Sequence, residues 1–238
     1  MVKKQSYDEP MHLPLSEISN KDEEVKPSWR GWIHTGVLPI AVAGGVVLVV
    51  LADGLTAKIA AAVFFASSIL LFGTSAIYHR FNWKPKAKKA LKRFDHANIF
   101  LLIAGSYTPI TLLALPQDKG LLLIVAIWAT ALLGIGFRVF WLGAPRWLYV
   151  IIYIVMGWAA VVYLPDFINV NLAMMILILA GGLLYTLGAV FYALKKPNPI
   201  PGHFGFHEIF HSFTVLAFLC HWSAVLIICL NPVPGSFA

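Results

Sequence analysis

Seven apolar runs, each about as long as a helix needs to cross a lipid bilayer, follow one another along this chain. They cover roughly 31–52, 57–79, 95–115, 120–142, 146–164, 168–193 and 206–230. Crossing ~30 Å of hydrocarbon takes about 20 apolar residues in a helix, and in lipid every backbone N–H and C=O must be satisfied internally. The expected fold is therefore an all-α integral membrane protein, a bundle of seven transmembrane helices. Composition agrees: 59% of the 238 residues are hydrophobic and 12% are charged, against ~25% charged in soluble domains. The expected organisation is a polar lead over 1–30, a membrane domain over 31–230 and a short tail over 231–238. The lead lacks the early apolar stretch of a cleavable secretory signal. No internal repeat of the transporter kind is visible, and the pairs Gly44-Gly45 and Gly181-Gly182 suit close helix packing in lipid.

Orientation follows from the placement of basic residues. Sixteen Lys and Arg fall on one side: five in the lead, seven between 80 and 93, two at 138–146, and Lys195 with Lys196. Only Lys58 and Lys119 fall on the other. The positive-inside rule then puts the N-terminus in the cytoplasm and, after seven crossings, the C-terminus outside. The net charge of +7 is thus spent on topology. No basic stripe interleaved with aromatics points to nucleic acid, and no such partner is expected. The stretch RFNWKPKAKKALKRF, 80–94, reads as a loop anchored by Trp83 and resting on anionic lipid headgroups. Cys220 and Cys229 lie in the last run, roughly 13 Å apart along a helix, too far for a disulfide; they read as two buried thiols.

Ionisable side chains inside membrane spans are costly and ask for a partner or a function. Four fall at span ends on the same side: His79 closes the second run, Asp95 opens the third, and His207 and His211 open the seventh. The last two are i,i+4 and share a helix face, so both imidazoles can reach one metal ion. Ser75 lies one turn deeper than His79 on its face; Asn98 and Ser106 follow Asp95. Three neutral imidazoles suit zinc and leave its fourth position open, as in catalytic sites. Asp95 is then a candidate general base, and Ser75 a candidate donor to water or a developing oxyanion. His34, His96 and His203 read instead as interfacial or capping residues. His221, about 15 Å deeper than His211, reads as a packed or cavity-lining histidine rather than a ligand.

HEIFH, 207–211, also fits H-E-x-x-H, in which the Glu serves as general base of a metalloprotease. That reading makes Glu208 catalytic and leaves Ser75 and His79 without a purpose. A five-residue pattern with three fixed positions is weak alone, and Glu208 lies about 100° around the helix from His207.

Three segments carry a more extensive pattern: SAIYHRF at 75–81, FDHANIFLLIAGSYTP at 94–109 and HEIFHSFTVLAFLCHW at 207–222. In content and order they resemble the hemolysin III branch of the progestin and adipoQ receptor family, over about residues 30–230. The resemblance implies seven helices with the N-terminus inside, and a zinc ion near the cytoplasmic side. His79, His207 and His211 would be its ligands, Asp95 would contact the water on the metal, and Ser75 would stand close behind. Related adiponectin receptors and alkaline ceramidases imply a zinc-dependent hydrolase of lipid amide or ester bonds, in a bacterial plasma membrane. Three alternatives stand beside it: a membrane-damaging, pore-forming hemolysin, a seven-helix receptor with a structural zinc, and the H-E-x-x-H protease.

Overall fold

The computed structural model describes residues 27–237; the expected polar lead lies almost wholly outside them. Within that range the chain forms α1 (Trp32–Leu51), α2 (Gly54–Arg80), α3 (Pro85–Ala114) and α4 (Gln117–Phe140). The series continues with α5 (Arg146–Gly157), a 3-10 turn (Ala159–Tyr163), α6 (Leu164–Val170), α7 (Leu172–Leu194) and α8 (Phe206–Leu230). Among the described residues seven spans are long and apolar enough to cross a membrane, α5 to α6 counting as one.

The fifth span, expected as a single helix ending at 164, is broken. A 3-10 turn follows Gly157, and Pro165 stands in the first turn of α6, where proline's fixed φ and missing N–H are tolerated. The hydroxyl of Tyr107, from α3, bridges the break: it donates to Gly157 O at 2.8 Å and accepts from Ala160 N–H at 2.8 Å. Asn171 then caps α7 through Oδ1, which accepts from Met174 N–H at 2.9 Å.

A second correction concerns the basic stretch. It is not a loop: the chain turns over 81–84 and α3 begins at Pro85, ten residues before the expected start. Lys84 has the extended conformation that a following proline imposes. KAKKALKR then consists of strong helix formers, so high charge there ends the membrane span without ending the helix. Asp95 consequently lies well inside α3 rather than at its start.

Helix α3 is the axis of the bundle. Of its apolar stretch 78% is buried, against no more than 44% in any other span, and it packs on α2, α4, α5 and α8. Helix α8 packs on α1, α2, α3 and α7. Small residues permit the close crossings: a Cβ at Gly45 would run into the Phe65 ring, and one at Gly181 into the His221 ring. The ends remote from the basic residues are stitched by backbone hydrogen bonds. Asp53 N–H donates to Cys229 O at 2.8 Å, and Val233 N–H to Leu113 O at 2.9 Å.

Candidate metal centre

At the opposite end, the last turn of α2 and the first turns of α8 meet beside α3. His79 Nε2 lies 3.2 Å from His207 Nε2. One ligand nitrogen from each of His79, His207 and His211 falls within 4.8 Å of the others. The three rings sit at centroid distances of 4.7, 5.2 and 4.5 Å. A tetrahedral zinc with Zn–N of about 2.0–2.1 Å needs its nitrogens roughly 3.4 Å apart, and the donor set fits that requirement. Its closest pair is already there, and the others need only modest closure. Asp95 joins from α3, its Oδ2 3.7 Å from His79 Nε2 and 3.8 Å from His96 Nδ1.

The start of α1 is held against this cluster by Gly31. Its φ is +83°, a left-handed conformation that costs glycine nothing. A Cβ there would meet the backbone of His79 and Arg80 at 2.9–3.0 Å. This close passage delivers His34, expected from the sequence to be an interfacial or capping residue. His34 is 2% exposed and stacks on His211 with centroids 3.8 Å apart and planes 8° apart. Its Nδ1 is hydrogen-bonded to Ser75 Oγ at 2.8 Å. Ser75, expected to face water or substrate, is thus partly committed to His34.

Glu208 points elsewhere. Its Oε1 accepts from Arg30 Nε at 2.5 Å and its Oε2 from the Gly205 N–H at 3.0 Å. It is a buried clamp between the start of α1 and the first turn of α8. Other sequence candidates also divide. Asn98 donates to Leu70 O and Thr74 Oγ1 on α2, a contact between helices, whereas Ser106 returns its hydroxyl to Leu102 O one turn back in α3 itself. His96 Nδ1 binds Lys92 O at 2.7 Å, and His203 pairs with Ser28 Oγ at 2.8 Å. His221 sits 3.3 Å from Ile178 O on α7, away from the cluster, as expected. Cys220 and Cys229 are both free thiols.

A cavity of about 130 Å³ runs inward from the cluster. Its head is lined by His34, Ser75, Asp95, His207 and His211; farther in, the walls include Leu102, Ile103, Trp158, Tyr185 and finally His221. A polar head opening on an apolar barrel suits a molecule with one reactive polar group and a long hydrocarbon part.

Residues 23–222 match the family model described as haemolysin-III related. The chain belongs to that family. It is 36% identical over 170 residues to the Hemolysin-3 homolog of Bacillus subtilis (strain 168), covering 71% of this chain and 76% of that one. Hemolysin-3 of Bacillus cereus is 35% identical over 161 residues, 67% of this chain and 70% of the relative. A shorter match, 43% over 54 residues, links 21% of the chain to 17% of the ADIPOR-like receptor IZH2 of Saccharomyces cerevisiae (strain ATCC 204508 / S288c), which agrees with the progestin and adipoQ receptor resemblance read from the motifs. The chain is a multi-pass membrane protein of the haemolysin-III type, with bacterial relatives.

Proposed function

We propose that this protein is a zinc-dependent hydrolase of lipid amide or ester bonds, with the metal held by His79, His207 and His211 near the cytoplasmic face of a bacterial plasma membrane. One observation carries the proposal: three imidazoles from two helices far apart in sequence converge beside a carboxylate, at the head of an apolar cavity. A zinc ion there supplies a Lewis acid for a carbonyl oxygen and brings the pKa of water down to about 7. The chain's own groups do the rest. Asp95 Oδ2 takes the proton of the attacking water. Ser75 offers its hydroxyl to the oxyanion when His34 Nδ1–H is the donor in their hydrogen bond. The apolar barrel receives the acyl chain and keeps bulk water out. The orientation follows from the charge bias, since the cluster shares its end of the bundle with the basic residues. The basic start of α3 rests on anionic headgroups there.

The protease alternative loses ground because Glu208 is clamped by Arg30 and Gly205. The names of the Bacillus relatives speak of hemolysins and that of the yeast relative of a receptor; lipid hydrolysis and lysis are compatible, whereas a receptor needs no turnover. The test is metal content of the detergent-purified protein by mass spectrometry, beside folded His79→Ala and His211→Ala, followed by a lipid-amide turnover assay. About one zinc per chain, lost in both variants, together with turnover, supports the proposal. Zinc that survives His79→Ala, or metal without turnover of any lipid amide or ester, refutes it.

A further inference from the structure

Arg138, counted in the sequence among the basic residues that set orientation, stands in the last turn of α4 and is 1% exposed. A guanidinium keeps its charge in any protein environment, and a buried charge without a counter-charge is strongly unfavourable. Yet Arg138 takes part in none of the ion pairs among the described residues. Its Nε and Nη1 have no hydrogen-bond partner among the described residues. Among the described residues its one directional contact is the face of Tyr149, 4.2 Å from the guanidinium carbon, a cation–π contact that cannot neutralise it.

The neighbours add positive charge. Arg138 acts electrostatically on Lys92, which also feels Arg146 and Lys88, and on His96. Asp95, the carboxylate that acts on the same groups, has its Oδ2 turned to His79 and His96. Helices α3, α4 and α5 thus hold a concentration of positive charge around a buried, unpaired fork of N–H donors. A fork of this shape matches the oxygens of a phosphate. Its setting points to lipid as the source. Phe140, Trp141 and Trp147, beside it in sequence, are 89%, 53% and 61% exposed, aromatic side chains of the kind that anchor at a bilayer interface.

We propose that Arg138, with Lys92, forms a binding site for the phosphate of an anionic phospholipid, between α3 and α4 and beside the cavity that Tyr149, on α5, also lines. The site is independent of any metal at the histidine cluster. Bound there, the phosphate supplies the counter-charge that the described residues lack, and the acyl chains lie along the outside of α4 and α5.

Native mass spectrometry of the full chain in detergent, titrated with phosphatidylglycerol, tests it. The parent should hold one lipid most tightly, and Arg138→Gln should weaken that step about tenfold. Lys92→Gln, at an exposed position that needs no repacking, should weaken it severalfold, and Lys58→Gln at the other end of the bundle should leave it unchanged. Affinity equal to the parent in Lys92→Gln and Arg138→Gln overturns the proposal; should Arg138→Gln fail to fold, Lys92→Gln decides alone. A parallel titration with inorganic phosphate separates the sources. Phosphate that binds in an Arg138-dependent way, where the lipid does not, moves the ligand into solution and overturns the lipid assignment.

Discussion

Replacing Glu208 separates a structural carboxylate from a catalytic one. In Glu208→Ala the Gly205 N–H at the start of α8 loses its acceptor, a loss of about 1 kcal/mol by analogy with helix-capping residues. Arg30 Nε loses a charge-assisted hydrogen bond, generally about 1.5–3 kcal/mol. The Arg30 side chain is 22% exposed, so the freed guanidinium regains water and the loss stays near the lower limit. Together these give about 2–3 kcal/mol, or a fall in Tm on the order of 5–10 °C for a chain of this size. Glu208→Gln keeps an acceptor for Gly205 and should lose about half as much. The double variant with Arg30→Gln should lose less than the sum of the singles, because each already breaks the pair. Intrinsic fluorescence on heating, with eight tryptophans as reporters, reads the stability; metal content and lipid turnover are read on the same samples. Both should stay near parent values in Glu208→Gln below its Tm. A Glu208→Gln that keeps its Tm and its metal but loses all turnover would refute this reasoning and make Glu208 the base.

Asp95→Asn should fold and keep its zinc while lipid-amide turnover falls by about a hundredfold or more; retained turnover removes Asp95 from the chemistry. Ser75→Ala deprives buried His34 of its partner at Nδ1 and should cost about 1–3 kcal/mol of stability, measured by thermal unfolding; an unchanged Tm would show the hydrogen bond to be unimportant. Gly31→Ala meets both a positive φ and the His79–Arg80 backbone, so zinc occupancy should fall along with Tm, because α1 can no longer lie against the cluster. For orientation, cysteines placed at Lys196 and at Asn231 in a Cys220→Ala, Cys229→Ala background should be labelled by a membrane-impermeant thiol reagent in intact cells only at 231.

The histidine cluster was legible because lipid makes every ionisable group conspicuous, and because i,i+4 spacing announces a shared face. Depth supplied the rest: His79, Asp95 and the His207–His211 pair are read to one end of the bundle from topology alone, and the structure brings them into contact. The same reasoning, applied to His34, would have flagged it too, since it lies near the start of α1 at that end. It went unread because its partners, Ser75 and His211, are remote in sequence and no local spacing links them. Arg138 was missed for a related reason. Near a span end, a basic residue is ordinarily a topology signal, and nothing in GFRVF says that this one turns inward. The basic start of α3 misled in the opposite direction, charge being taken as the end of a helix when it marked only the end of the apolar stretch. The break in the fifth span had its signals in Gly157 and Pro165, but both residues are common enough in membrane helices that neither decides alone.

The length of α3 sets how deep the histidine cluster lies. From Asp95 to Ala114 the helix covers 20 residues, about 30 Å of rise, which equals the thickness of the hydrocarbon layer. With its far end at one boundary of that layer, its aspartate stands at the other, level with the zone where acyl chains join their headgroups. A lipid linkage already resides at that level. For the proposed hydrolase, the scissile linkage and the histidines then share one depth, and no lipid has to be lifted out of the bilayer to be cut.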